Sequence, residues 1–283
     1  MTDTWAPSER ELERRRVRRA RRRSSVLVAT AATVVVFALL AVAITSTPGW
    51  DRVRETFFDL GHARDVLPEI WAVFWKNVLI FLAAEPFILL LGLALALIRV
   101  SRSALLMPLR IVAVLWTDVL RGVPTVLLIL LFGFGVPALQ LEGLTDSGMF
   151  WAAVALVLSY SAYVAEVFRA GIDSIHPSQL NSASALGLSR GQALRFVVVP
   201  QAVRRVVPPL LNDFVSLQKD TALVSLVGAF DAVAAARDYT AYNFNYTAYV
   251  VVALFFVVLT VPLARFTDWL QRRWVEKERA GAL

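Results

Sequence analysis

Residues 171–225 read GIDSIHPSQLNSASALGLSRGQALRFVVVPQAVRRVVPPLLNDFVSLQKDTALVS, a mixed stretch set between long apolar runs. Arg190, Arg195, Arg204 and Arg205 fall in its first two-thirds. Arginine density beside apolar spans marks the cytoplasmic side, so this part is expected outside the hydrocarbon. A short helix is legible within it. Pro177 suits a first helical turn, and Gly187 suits the position just past a helix end. The helix between them is about 15 Å long, too short for a bilayer core of about 30 Å. Ser189 opens a second helix, with Gln192 three residues on as its capping-box partner. The pattern predicts a helix–glycine–helix elbow on the cytoplasmic face, able to receive a partner protein. The apolar runs on both sides predict an all-α, polytopic bundle of transmembrane helices.

Of the 283 residues, 58% are hydrophobic, more than the roughly half expected of a soluble domain. The net charge of +7 comes almost entirely from arginine. Nucleic-acid binding is one meaning of such a charge. Its distribution argues against that, because the arginines cluster at the ends of apolar runs. The chain has no cysteine, which excludes disulfides, thiolate metal sites and cysteine nucleophiles. His62 and His176 are far apart, whereas a metal site needs several convergent ligands. No phosphate loop, HExxH or GxSxG occurs. No catalytic, metal or cofactor residue is therefore assigned, and energy for moving a solute must come from a partner or an ion gradient.

Residues 1–25 are polar, with arginine at 14, 15, 16, 18, 19, 21, 22 and 23. They are expected to form a basic cytoplasmic tail held by anionic membrane lipid. Residues 26–46 form a first transmembrane helix. Ala41-Val42-Ala43 has the form of a signal cleavage site, but the apolar run exceeds a signal core of about 7–15 residues. Residues 47–69 are expected to lie at the extracytoplasmic interface. A five-helix transmembrane domain then occupies residues 70–270, carrying the cytoplasmic loop 171–207, and residues 271–283 form a cytoplasmic tail. Its first span, the second of the chain, 70–98, has Lys76 near the outer interface and Glu85 deeper. Residues 108–139 are too many for one straight crossing. Within them Asp118 and Arg121 share a helix face, and Pro124 is placed to kink the helix. Thr125 is placed to satisfy a freed backbone group, and Gly133 and Gly135 permit close helix contact. The fourth span, 150–170, has Ser159, Tyr160, Ser161 and Tyr163 in its middle and Glu166 and Arg169 near its inner end. The fifth, 208–230, puts Asn212, Gln218, Lys219 and Asp220 in the membrane. An external loop, 231–245, leads to the last span, 246–266, with Trp269 and Trp274 as interfacial anchors. This makes six crossings with both termini cytoplasmic. The sequence shows no inverted repeat and no broken-helix pair, which speaks against a secondary transporter.

Asn181-Ser182-Ala183, three residues, Gly187 and later Val199-Pro200 resemble the cytoplasmic coupling loop of ABC importer permeases. That loop follows the pattern Glu-Ala-Ala, three residues, Gly, then a distant Leu-Pro. PQAVRRVVPPLLNDFVSLQKDTALVSLVG (200–228), RGVPT (121–125) and SYSAYVAEVFRAGIDSI (159–175) resemble the polar amino-acid (histidine/glutamine/glutamate-type) subgroup. The resemblance runs over about residues 69–272, with separate motifs in the right order. The chain departs from the pattern at the opening Glu, here Asn181, and at the next Ala, here Ser182.

The resemblance implies a permease subunit in the plasma (inner cell) membrane with no ATPase site of its own. It implies a second permease subunit, an ATPase dimer that binds ATP and Mg, an extracytoplasmic solute-binding protein and an amino-acid substrate. It also implies an ATPase-coupling role for Leu180, Asn181, Ser182, Ala183, Ser184 and Gly187. Asp118, Arg121, Thr125, Tyr163, Glu166, Lys219 and Asp220 are the expected substrate pathway, since ionisable groups within membrane spans mark solute paths or structural pairs. Asp220 pairing with Arg121, and Glu166 with Arg169, are the structural alternatives. An ion-coupled carrier using Lys219 and Asp220, or a membrane scaffold or sensor, are the functional ones.

Overall fold

The computed structural model describes residues 8–101 and 103–281. The chain divides into two compact units, Met1–Thr56 and Phe57–Leu283.

The first unit holds α1 (Glu9–Thr45) and most of α2 (Trp50–Phe57). The basic flank expected as a tail is helical from Glu9 onward, continuous with the apolar run; residues 1–7 of that tail lie outside the described residues. Arginine and glutamate are good helix formers, and Glu9 and Glu11 sit in the first turn, where the helix dipole favours acids. Residues 24–45 are long and apolar enough to cross a membrane, and the chain buries none of them. No residue of α2 is buried.

The second unit contains α3 (Leu60–Val100), α4 (Met107–Gly122), α5 (Thr125–Ala138) and α6 (Gly148–Asp173). After these come α7 (Pro177–Ala185), α8 (Arg190–Ala193), a π-helical turn (Leu194–Val198) and α9 (Val199–Asp220). A 3-10 helix (Thr221–Val227), α10 (Ala232–Asn243) and α11 (Thr247–Gly281) complete it. The described residues contain no strand, so the chain is an all-α membrane bundle.

α6 lies at the centre of the unit, against α3, α4, α5 and α9. Ala152, Ala155, Ala162 and Ala165 on it are fully buried. Small residues suit this place, because helices in lipid associate through van der Waals contact rather than water exclusion. A Cβ on Gly92 would meet Val164 of α6, and one on Gly133 would meet Val227. Gly135 has open space around it, so only Gly133 makes the expected close contact. A second apolar cluster joins Ile70 and Phe74 of α3 to Ala235 of α10 and Val251 of α11.

Three expectations are corrected. α4 and α5 form a broken-helix pair, bent by 103°. Pro124 offers no N–H and forces the residue before it out of the helical region. Val123 accordingly has φ −96° and ψ 130°. Second, the expected fifth span, 208–230, is not one α-helix: α9 starts earlier, at Val199, so that Arg204 and Arg205 lie on it, passes through Pro208 and Pro209, and gives way to the 3-10 helix after Asp220. Its charges, Asp213, Lys219 and Asp220 included, keep it out of the stretches apolar enough to cross by composition. Third, the expected external loop contains α10. Asp231 caps it by accepting a hydrogen bond from Ala234 N at 2.9 Å, and also accepts one from Asn77 Nδ2 at 2.8 Å. Burial pushes the Asp231 carboxyl above its ordinary range, and these donors oppose the shift.

Candidate functional site

The elbow forms as local chemistry dictates. Pro177 takes the first position of α7, and His176 Nδ1 accepts from Ser178 N at 3.2 Å. Gly187 closes the helix with φ +80°. Its N–H donates to Ser184 O at 3.0 Å, and Leu188 N donates to Ala183 O at 3.1 Å. This pair of bonds ties off the last carbonyls and needs a left-handed residue at Gly187. Ser189 N donates to Gln192 Oε1 at 2.9 Å and Gln192 N to Ser189 Oγ at 3.4 Å, the reciprocal capping box that the spacing predicts.

Asn181, Ser182, Ser184 and Gly187 are exposed on the elbow. The side chain of Leu180 lies outside the described residues. Ala183 is only 3% exposed, because α7 packs its small face on the π-helical turn of the same chain. Ala183 is thus turned toward its own chain and is not an outward knob. Leu186, which spacing did not select, is 83% exposed and is the large apolar side chain offered outward.

The two stems of the elbow are fastened together. A Cβ on Gly171 of α6 would stand 2.1 Å from Val206 Cγ1 of α9. Arg205 Nη1 donates to Ser174 O. Ile175, Val198 and Ala202 form a small apolar cluster beside them.

Just above this clamp, Glu166 gathers three arginines. Its Oε2 is 3.0 Å from Arg99 Nη1 of α3 and 3.6 Å from Arg121 Nη1 of α4. Its Oε1 pairs with Arg169, one turn on, which also pairs with Asp173 at 2.6 Å. Tyr163 donates its hydroxyl to Arg121 O at 3.4 Å, with the guanidinium 6.0 Å from its ring. The expected Glu166–Arg169 pair is therefore present, inside a larger network.

The other expected pathway residues lie elsewhere. Asp118 is exposed and makes no ion pair among the described residues, so sharing a face with Arg121 does not pair them. Thr125 Oγ1 bonds Ser159 Oγ at 2.9 Å in place of a freed backbone group. Asp220 accepts from Tyr160 OH at 2.7 Å, not from Arg121, while its neighbour Lys219 is exposed.

A cavity of about 420 Å³ opens between these elements, lined by Arg121, Tyr163 and Glu166 on one side and Arg205, Pro209 and Asp213 on the other. From sequence, Arg205 is expected only as one of the cytoplasmic arginines, and Asp213 is not singled out. Their signal was present, because 205, 209 and 213 repeat at four-residue intervals on one helix face. Among the described residues no group of histidines and carboxylates could hold a metal ion.

Residues 88–276 match the family described as binding-protein-dependent transport system inner membrane component. The probable glutamine ABC transporter permease protein GlnM of Bacillus subtilis (strain 168) is 31% identical over 201 residues, covering 71% of this chain and 90% of the relative. The arginine transport system permease protein ArtQ of the same organism is 35% identical over 187 residues, covering 65% of this chain and 83% of the relative. The solved structure described as an amino acid ABC transporter with histidines superposes with a TM-score of 0.68 at 28% identity, covering 76% of this chain and 98% of its own. The matched residues span the bent pair, the elbow, the cavity and the last crossing. The chain belongs to the binding-protein-dependent transport system inner membrane components, the permease subunits of ABC importers, which work with a separate ATPase and are not themselves enzymes.

Proposed function

We propose that this permease moves a polar amino acid through the cavity between α4, α6 and α9, driven by ATPase subunits docked on the α7–α8 elbow. One observation carries this reading. Gly171, Ser174 and Arg205 line the cavity and also fasten the stems of the elbow. A displacement of α7 is therefore delivered to the cavity wall without an intervening flexible segment. The relatives' names give glutamine and arginine as their solutes, and polar amino acids are the class we assign to this chain. Arg121, Tyr163 and Glu166 act on the pathway, and Thr125 and Asp220, through Ser159 and Tyr160, hold the helices around it.

In this reading two permease subunits enclose the path, with six crossings each and both termini in the cytoplasm of a plasma-membrane protein. A solute-binding protein delivers the amino acid from outside. ATP and Mg are bound by the ATPase dimer. Docking uses Asn181, Ser182, Ser184 and Gly187, with Leu186 as the apolar contact. Asn181 is neutral, so docking depends less on salt than a glutamate-based contact would.

The test is reconstitution of the permease with its ATPase and binding protein in liposomes. ATP-dependent uptake of labelled L-glutamine, L-arginine or another polar amino acid is expected. An assembled, ATP-hydrolysing complex that takes up none of them overturns the reading.

A further inference from the structure

α9 and α11 run antiparallel and are tied at two depths. Thr260 donates its hydroxyl to Gln218 Oε1, and Gln271 Nε2 donates to Pro208 O at 3.3 Å. Past the second tie, toward the elbow, another cavity of about 360 Å³ lies between the two helices. Val199, Pro200, Val203 and Arg204 of α9 line one wall, and Trp274 of α11 lines the other. The α9 wall is two adjacent rows, 199 with 203 and 200 with 204, each one helical turn long. Val199 and Val203 are exposed. Arg204 is exposed beside them and meets no acid among the described residues. Glu276 lies two residues past Trp274, off its helix face. The cavity therefore pairs an apolar strip with an unanswered cation.

Its depth follows from α11. The stretch Thr247–Trp274 is 28 residues long and apolar enough to cross a membrane. At 1.5 Å per residue it measures about 42 Å, the thickness of a bilayer with both headgroup layers. Trp274, the last residue of that stretch, thus falls among headgroups, where an indole buries its ring and keeps its N–H for a polar oxygen. Arg204 faces it across the cavity at the same level. Basic pockets between helices at this depth suit anionic lipid.

We infer that the cavity between α9 and α11 seats an anionic phospholipid, its phosphate on Arg204 and Trp274 and the upper part of its acyl chains along Val199, Pro200 and Val203. A free phosphate answers Arg204 and leaves the valines in water. An uncharged lipid covers the valines and leaves Arg204. A phospholipid with net negative charge answers both. α9 is the second stem of the elbow, and Arg205, the next residue, fastens that stem to α6. The seated lipid ties the same stem to α11 beyond the Gln271–Pro208 bond. This goes beyond the transport reading and takes from it only that the elbow faces the cytoplasm.

The experiment uses the assembled permease–ATPase complex in phosphatidylcholine nanodiscs. Phosphatidylglycerol brominated near the top of its acyl chains is titrated in, and quenching of tryptophan fluorescence is compared with that by phosphatidylcholine brominated in the same way. Phosphatidylglycerol is expected to reach half-quenching at a mole fraction about fivefold lower or more, as for one arginine at an anionic surface. Trp274→Phe should remove most of the difference between the lipids, which places the quenching at this cavity. Arg204→Gln should bring the two lipids together without changing the melting temperature, and Arg204→Lys should keep much of the preference. Arg272→Gln, outside the cavity, should leave the preference as it is. Equal quenching by the two lipids in the unmodified complex overturns the assignment. So does an equal loss of preference in Arg272→Gln, the mark of diffuse attraction, and so does relief of the quenching by millimolar glycerol phosphate, the mark of a free-phosphate site. Amino-acid uptake plays no part in these readouts. A complex that prefers the lipid without transporting leaves this site standing, and one that transports without the preference overturns the site alone.

Discussion

Val206 Cγ1 of α9 occupies a point 2.1 Å from where a β-carbon on Gly171 of α6 would lie. Only a hydrogen at position 171 lets the two helices meet at the base of the elbow. Val206 is 5% exposed and β-branched, so it has little freedom to move aside. Gly171→Ala gains about 1 kcal/mol of helix propensity, but overpacking costs about 1–3 kcal/mol. The net expectation is a lower melting temperature in detergent and weaker coupling of ATP hydrolysis to uptake. Val206→Ala makes room, so the double variant should recover most of the loss. Failure of the second substitution to rescue the first would show that the contact does not limit the packing.

The elbow separates docking from internal packing. Leu186 is exposed and touches little of its own chain, so Leu186→Asp should leave the melting temperature unchanged while reducing ATPase co-purification about tenfold or more. Ala183 faces inward, so Ala183→Trp should lower the permease's own stability by about 1–3 kcal/mol even without the ATPase. Gly187→Val sits between the two. Its φ of +80° strains a side-chain-bearing residue by about 1 kcal/mol or more, which should misdirect α8 and weaken docking. Normal ATPase binding by Leu186→Asp would move the docking face elsewhere.

The elbow was legible because its rules are local. Proline at a helix start, glycine at φ +80° and a Ser–Gln capping box each involve residues within four positions of one another. The fan of arginines around Glu166 was not. Arg169 is one turn away and was foreseen, but Arg99 and Arg121 arrive on other helices, and periodicity does not say which helices are neighbours. The same limit hid Tyr160 as the partner of Asp220. Pro124 announced a break without its angle. Asp231 directly precedes an alanine-rich run, a local N-cap signal that the expectation of a loop between spans leaves unused.

Glu166 should behave first as a structural centre. Its side chain is 23% exposed and that of Arg99 12%. Replacing it with glutamine leaves three guanidinium groups sharing one neutral acceptor. Breaking a fully buried pair costs about 3–5 kcal/mol and an exposed one under about 1, so Glu166→Gln should cost about 1–3 kcal/mol and reduce assembled complex. Arg121, more exposed and at 3.6 Å, should matter less to stability. Melting curves for Glu166→Gln, Arg99→Gln and Arg121→Gln rank the three. Unchanged melting with altered solute preference for Glu166→Gln would instead make it a pathway residue alone.

Asp231 gives the end of the bundle away from the elbow a pH dependence of definite sign. Burial raises its carboxyl above the ordinary range, so the native state favours the protonated form. The stabilisation this brings is fully present below the ordinary carboxyl pKa of about 4 and is lost as pH rises through the raised value. The unmodified permease should therefore lose stability relative to Asp231→Asn as pH climbs through that window, read as the difference between their melting temperatures in detergent. A difference that grows in the opposite direction would mean that the donors Asn77 and Ala234 outweigh burial.

α1 is the element with the least claim on transport. It lies outside residues 88–276, which match the permease family, and its crossing run is buried nowhere by the chain. That run is nearly all aliphatic, offering a solute no hydrogen bond and no charge. Its N-terminal flank, by contrast, carries eight arginines between residues 14 and 23, each worth about 1 kcal/mol near an anionic leaflet. A helix so built orients and anchors. Deleting residues 1–46 should therefore reduce the amount of permease inserted, severalfold, while uptake per inserted molecule changes little. Replacing the eight arginines with glutamine should reproduce part of that loss by weakening orientation. The quantities to compare are surface abundance, from labelling of a cysteine introduced at Asn243, and uptake divided by that abundance. Uptake per molecule that collapses while abundance holds would place α1 in the transport cycle.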